Sequence, residues 1–151
     1  MRVSVIGGSQ VTDAEYRLAE RLGEQLADRG HSVICGGLTG VMEAVCKGVK
    51  QQGGRTIGIL PGERRSAAND YVDTAIATGL GNARNALVVL NGAGTIAVDG
   101  STGTLSEIGH ALDYGRPVAG LKTHDIDGVE PFESPAAAIE YIETEAGGGD
   151  G

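Results

Sequence analysis

The chain contains no tryptophan, one phenylalanine and four tyrosines, which leaves little aromatic bulk for a large core. Lysine is nearly as scarce, since Lys47, Lys50 and Lys122 are the only three among 12 basic residues. Against them stand 20 acidic residues, and the net charge of −8 argues against a general binder of nucleic acid or of anionic membranes, because neutralising phosphates takes Lys and Arg. A local basic pocket is still compatible with that balance. A composition low in Lys and high in Asp and Glu looks like that of a high-salt proteome, although a GC-rich genome also favours Arg over Lys. The two cysteines, Cys35 and Cys46, lie in apolar surroundings without a C-x-x-C set, so they read as buried free thiols in a reducing compartment and not as a metal site or a disulfide. No apolar run approaches the roughly 18 residues of a membrane span, and no basic stretch precedes an apolar one at the N-terminus. The expectation is a cytoplasmic protein.

Glycine, by contrast, is abundant: 26 of 151 residues, more than twice the ordinary share of about 7%. The length suits one domain, predicted over residues 1–146, with a disordered Gly-rich tail at 147–151. Short apolar runs predict strands at Val3–Ile6, Ser32–Cys35, Thr56–Leu60, Tyr71–Ala77, Thr95–Val98 and Pro117–Leu121. Between them lie helical stretches. The first opens on a capping box at Thr12-Asp13-Ala14-Glu15, carries Leu18, Leu22 and Leu26 on one stripe and stops at Gly30. Others span Gly40–Lys50, Asn82–Leu90 and Leu105–Tyr114, and the last runs from Ser134 as cap to Glu145 with Pro135 at its first position. Strands that are continuously apolar and alternate with helices are covered on both faces, so the fold class is α/β, a doubly wound parallel sheet of about six strands. Right-handed crossovers put every strand-to-helix loop at the carboxyl edge of such a sheet, where ligands bind.

Three glycine-rich corners fall on that edge: Gly7-Gly8-Ser9, Gly36-Gly37-Leu38-Thr39-Gly40, and Asp99-Gly100-Ser101-Thr102-Gly103-Thr104. Glycine lets backbone N–H groups approach a ligand without side-chain obstruction, and a helix N-terminus adds partial positive charge, so corners of this kind hold phosphate or another oxyanion. None has the G-x-G-x-x-G spacing of a dinucleotide site or the G-K-S/T ending of a Walker loop, which disfavours a classical NAD enzyme and an ATPase. The candidate ligand-binding residues are Gly7, Gly8, Ser9, Gly36, Gly37, Thr39, Gly40, Gly81, Gly100, Ser101, Thr102, Gly103 and Thr104. No metal site is expected.

Gly36-Gly37-x-x-Gly40-Val41-Met42-Glu43-Ala44, Gly79-Leu80-Gly81-x-Ala83-Arg84-Asn85 and Gly100-x-x-Gly103-Thr104-x-x-Glu107 together resemble the Rossmann-like superfamily of the Lonely Guy (LOG) phosphoribohydrolases, whose members were long mislabelled lysine decarboxylases. Over most of 1–121 the layout looks most like its short branch, related to molybdenum-cofactor carrier proteins and distantly to DNA-processing protein A. The LOG enzymes present P-G-G-x-G-T-x-x-E, where this chain has Asp99 for the proline and Ser101 for the second glycine; their Arg-Lys pair is Arg84-Asn85 here. The resemblance implies a cytoplasmic protein that binds a nucleotide or a pterin phosphate, with the molybdenum cofactor or a nucleoside monophosphate as ligand and no further cofactor required. It also implies a second reading, hydrolysis of the N-glycosidic bond of nucleoside 5′-monophosphates, with Arg84 and Glu107 on the catalytic positions.

Chemistry gives that pair work to do, since cleaving a base from ribose 5′-phosphate develops positive charge on the sugar and needs the phosphate held. A plainer explanation of Glu107 is that Thr104-Leu105-Ser106-Glu107 forms a capping box. For Arg84 the plainer explanation is a solvated residue or an ion pair. His110 shares the helical face of Glu107 and reads as packing, His31 and His124 fall at turns without a role, and Arg64-Arg65 read as solvated loop residues. Surplus apolar residues on Asn82–Leu90 and on the helix from Leu105 predict a homodimer or homotetramer with Arg84 near the subunit boundary.

Overall fold

The computed structural model describes residues 1–147. Seven strands form one sheet: β1 (Arg2–Gly7), β2 (Ser32–Cys35), β3 (Thr56–Leu60), β4 (Thr74–Ala77), β5 (Gly94–Val98), β6 (Val118–Leu121) and β7 (Val129–Pro131). Their order is β4-β3-β2-β1-β5-β6-β7, and every pair is parallel. The chain leaves β1 toward β2 on one side and returns to β5 on the other. Between β1 and β5 lies the switch point, where a doubly wound sheet opens a crevice.

Five helices cover the sheet: α1 (Asp13–Asp28), α2 (Val41–Gln51), α3 (Arg84–Leu90), α4 (Thr102–Asp113) and α5 (Pro135–Ala146). Alternation along each strand decides which helices meet which residues. Val3, Val5, Val33, Cys35, Ile96 and Val98 face α1, α2 and α5 in one apolar cluster. Ile6, Ile34, Ile59 and Ala97 face α3 and α4 in the other. Both faces are thus buried, which is why the strands read as unbroken apolar runs. α1 and α2 pack so closely that a Cβ at Gly23 would strike the Val45 carbonyl and one at Gly48 the Glu20 carbonyl. Among the described residues no helix is long and apolar enough to cross a membrane.

Local signals set several boundaries. Thr12 caps α1, its Oγ1 accepting the Glu15 N–H at 3.2 Å while Glu15 Oε1 accepts the Thr12 N–H at 2.8 Å. Ser134 caps α5 with Pro135 behind it.

Three expectations are corrected. The sheet has a seventh strand, β7, whose Glu130 and Pro131 hide it from an apolar-run search and which is tolerated because it pairs only with β6 at the edge. Strand β4 starts at Thr74 instead of Tyr71, because Asn69 Oδ1 accepts the Tyr71 N–H and holds that residue in a turn. Helix α4 starts at Thr102, one turn before Leu105. Gly147 follows α5, its N–H donating to Glu143 O at 2.9 Å. The rest of the expected tail, 148–151, lies outside the described residues.

Candidate functional site

At the switch point a cavity of about 200 Å³ opens at the carboxyl edge. It is lined by Gly7 and Ser9 from the end of β1, by Ser101, Gly103 and Thr104 from the start of α4, and by Arg84 and Glu107. The early start of α4 changes the meaning of Glu107. Ser101 is the cap, and Thr104 Oγ1 accepts its N–H at 3.4 Å, so Glu107 lies in the second turn and no Thr104–Glu107 capping box exists. Its side chain points into the cavity and is only 7% exposed. Burial pushes its pKa up to about 8, against the pull of the Arg84 charge.

Arg84 is likewise not a solvated helix residue. It is 8% exposed, its Nη1 donates to Asn85 Oδ1, and its Nε has no partner. Burial lowers its pKa while Glu107 raises it, and a guanidinium remains charged at any ordinary pH. Gly36 makes room for it, since a Cβ there would lie 2.7 Å from both Arg84 Nη2 and Met42 Sδ. A buried cation with an unused donor, beside a protonated carboxyl and a helix N-terminus, is an arrangement suited to an anion.

The second corner plays a different part from the first and third. Gly8 O accepts the Val41 N–H at 3.0 Å, and Ser9 O accepts the Thr39 hydroxyl at 3.0 Å, so Thr39 and the N-terminus of α2 are taken up in clasping the first corner. A Cβ at Gly40 would strike Gly8 O. Gly37 packs on Gly58 and Leu60 beneath β3. Of the candidate residues, Gly8, Gly36, Gly37, Thr39, Gly40, Gly81, Gly100 and Thr102 are not among the cavity-lining residues, whereas Leu38, Met42, Asn82 and Asn85 line it without having been expected. Met42 and Asn85 lie inside the sequence motifs; Leu38 and Asn82 carry no chemical signal.

Arg64 and Arg65 are exposed in the loop after β3. His110 stacks on Tyr114, centroids 6.2 Å apart. His124, in contrast, reaches the third corner, its Nε2–H donating to Ser101 O at 3.1 Å. Cys35 and Cys46 are buried free thiols with Sγ atoms 3.6 Å apart. Among the described residues no group of three His, Cys, Asp or Glu side chains is placed to hold a metal ion.

The family model of the SLOG cluster4 family matches residues 1–146. The chain belongs to the SLOG cluster4 family. An uncharacterized protein of Archaeoglobus fulgidus is 44% identical over 142 residues, 93% of each chain. Among solved structures, the molybdenum cofactor binding protein of the phototrophic bacterium Rippkaea orientalis superposes with a TM-score of 0.90 at 37% identity, covering 95% of this chain and 96% of its own. The molybdenum cofactor carrier protein of Chlamydomonas reinhardtii gives 0.87 at 33% identity, with the same coverage. DNA processing protein A of Streptococcus pneumoniae shares the fold, with a TM-score of 0.75 at 17% identity over 92% of this chain and 60% of its own. In this SLOG member the Arg84 and Glu107 of the sequence motifs meet in one cavity, together with the first and third glycine corners.

Proposed function

We propose that the chain is a cytoplasmic carrier that binds the molybdenum cofactor, a phosphorylated pterin dithiolene, through its phosphate at the start of α4. The observation that carries this reading is the unpaired Nε of the buried Arg84 beside that helix N-terminus. Arg84 would grip phosphate oxygens with its fork of N–H donors, and the first turn of α4 would add N–H groups and partial positive charge. Glu107, protonated at pH 7, would donate an O–H to the anion and leave the Arg84 charge uncompensated. Likeness to the two molybdenum cofactor proteins supports the choice of cargo. The net charge of −8 weighs against nucleic acid as partner. Thermal-shift measurements with AMP, GMP, ribose 5′-phosphate and pterin phosphates test it, since a ligand of the native state raises the melting temperature by mass action. No shift with any of them, at low and high salt, refutes it.

A second reading is favoured by the Glu107 pKa of about 8 beside Arg84: a neutral carboxyl next to a cation is the equipment of a general acid in N-glycosidic hydrolysis of nucleoside 5′-monophosphates. Release of free base that Glu107→Ala abolishes, with folding and binding retained, supports it; no release from any common monophosphate refutes it. For assembly we propose a homodimer or homotetramer through the α3–α4 side, where Leu90, Leu105 and Tyr114 are 40%, 44% and 39% exposed. Light scattering that gives one 15.3 kDa chain at micromolar concentration in high salt refutes that.

A further inference from the structure

The cavity at Arg84, about 200 Å³, is smaller than the roughly 300–1,000 Å³ of sites that enclose a whole small ligand. It suits a phosphate and leaves the remainder of a phosphorylated heterocycle outside. On the far side of His124 lies a second cavity of about 390 Å³, lined among others by Lys122, His124, Asp125, Phe132 and Glu133. The linings of the two touch, because Ser101 lines the first, His124 lines the second, and His124 Nε2–H donates to Ser101 O.

The wall between them is built under strain. Strands β5 and β6 end side by side, Val98 paired with Leu121, and each runs into a non-glycine residue in the left-handed region, Asp99 at φ 53° and Lys122 at φ 54°. Such conformations are costly and persist where surrounding contacts hold them. Here the Thr123 hydroxyl donates to Asp99 O at 2.7 Å and the Asp99 N–H to Leu121 O at 3.1 Å. The opposite wall is anchored as well: the Phe132 N–H donates to Gly120 O at 2.8 Å, its ring packs on Tyr141 with centroids 5.2 Å apart, and Ser134 caps α5. Glu133, set between Phe132 and Ser134, therefore sits on a fixed backbone.

Resting on the phosphate reading above, we propose that this second cavity takes the ring of the same ligand and selects a 2-amino-4-oxo heterocycle, the edge shared by pterin and guanine. A carboxylate offers two acceptor oxygens, so Glu133 matches the adjacent N–H and NH2 donors of that edge in a two-bond pair. Adenine offers a ring-nitrogen acceptor at the matching position, and facing it with a carboxylate leaves two acceptors opposed. Phe132 supplies a surface for stacking, and Lys122 a donor for the ring carbonyl.

Calorimetric titration with inorganic phosphate, GMP and AMP separates this proposal from the one beneath it. The wild type should bind GMP about tenfold more tightly than AMP. Glu133→Gln, a change at an exposed residue, should weaken GMP about tenfold, leave phosphate unchanged and bind AMP at least as tightly as the wild type, because the amide NH2 can donate to the adenine ring nitrogen. Phe132→Ala should weaken both nucleotides but not phosphate. Equal affinities for GMP and AMP in the wild type, a GMP preference that survives Glu133→Gln, or an equal loss of all three probes in that variant overturns the ring placement while phosphate binding stands. A wild type that binds none of the three overturns the phosphate reading and this one together.

Discussion

The two edges of the sheet carry cavities of opposite character. At the amino edge, where β2, β3 and β4 begin, a cavity of about 560 Å³ is lined by His31, Lys50, Arg55 and Asp73 among others. Three of its polar side chains, Lys50, Asp73 and His31, are already paired within the protein. Lys50 Nζ lies 2.9 Å from Asp73 Oδ2 and 2.8 Å from Gly54 O, and His31 Nε2 lies 2.7 Å from Glu143 Oε2. At the carboxyl edge the Arg84 cavity has about 200 Å³, yet it holds a buried guanidinium with a free Nε and a carboxyl pushed far from its ordinary pKa. The two cavities differ less in size than in unspent hydrogen-bonding capacity, and a buried polar group left unpaired is costly unless a ligand completes it.

The largest effect that sharpens this contrast is on Glu107. Its pKa rises from 4.5 when unfolded to about 8 when folded, so across that window the folded state holds a proton that the unfolded state releases, and stability falls as pH rises. Glu107→Gln removes the penalty and should stabilise the protein by about 3 kcal/mol at pH 7, with the gain vanishing below pH 4.5. Urea denaturation at pH 4.5, 7 and 8.5 measures it. In the wild type, phosphate binding should decline above about pH 8 as Glu107 ionises, whereas the Gln variant should show no such decline.

Next comes Arg84 itself. Removing the charged partner of a desolvated anion costs about 2–5 kcal/mol, so Arg84→Ala should weaken phosphate-ligand binding by at least about 30-fold. At the amino edge, Lys50→Ala should leave it within about twofold; comparable losses from both variants, read by calorimetry, would break the distinction between the edges.

A smaller effect separates two glycines. Gly36→Ala puts a Cβ 2.7 Å from Arg84 Nη2 and should cut affinity about tenfold by displacing the guanidinium. Gly53→Ala meets nothing within 4 Å but sits at φ +74°, so it should cost about 1 kcal/mol of stability through backbone strain and leave binding unchanged. Least of all should be the exposed Lys50–Asp73 pair. Asp73→Asn should destabilise by about 0.5 kcal/mol at pH 7, less in high salt. Burial raises the Asp73 pKa, but hydrogen bonds from Lys50 and Thr56 outweigh it and hold the pKa below its ordinary value, so this contribution is present above pH 3.8 and is lost as pH falls through the folded-state pKa.

Features governed by a few neighbouring residues were legible in the sequence. Ser32–Cys35 and Thr56–Leu60 match their strands residue for residue, and Thr12-x-x-Glu15 and Ser134-Pro135 mark helix starts, because side-chain period and capping act within one turn or one strand. The chemistry-bearing pair Arg84 and Glu107 could also be named from their motifs. Tertiary structure alone decided the surroundings of those residues. Only the approach of β5's end to β6 brings His124 onto Ser101. Only the meeting of the first two corners uses up Thr39 and the N-terminus of α2, leaving the start of α4 to line the cavity. And Glu107 became a buried acid because α4 begins at Thr102, where chain entering from a strained Asp99 first takes up helical geometry. Capping competes among several Ser and Thr candidates, and long-range packing chooses between them.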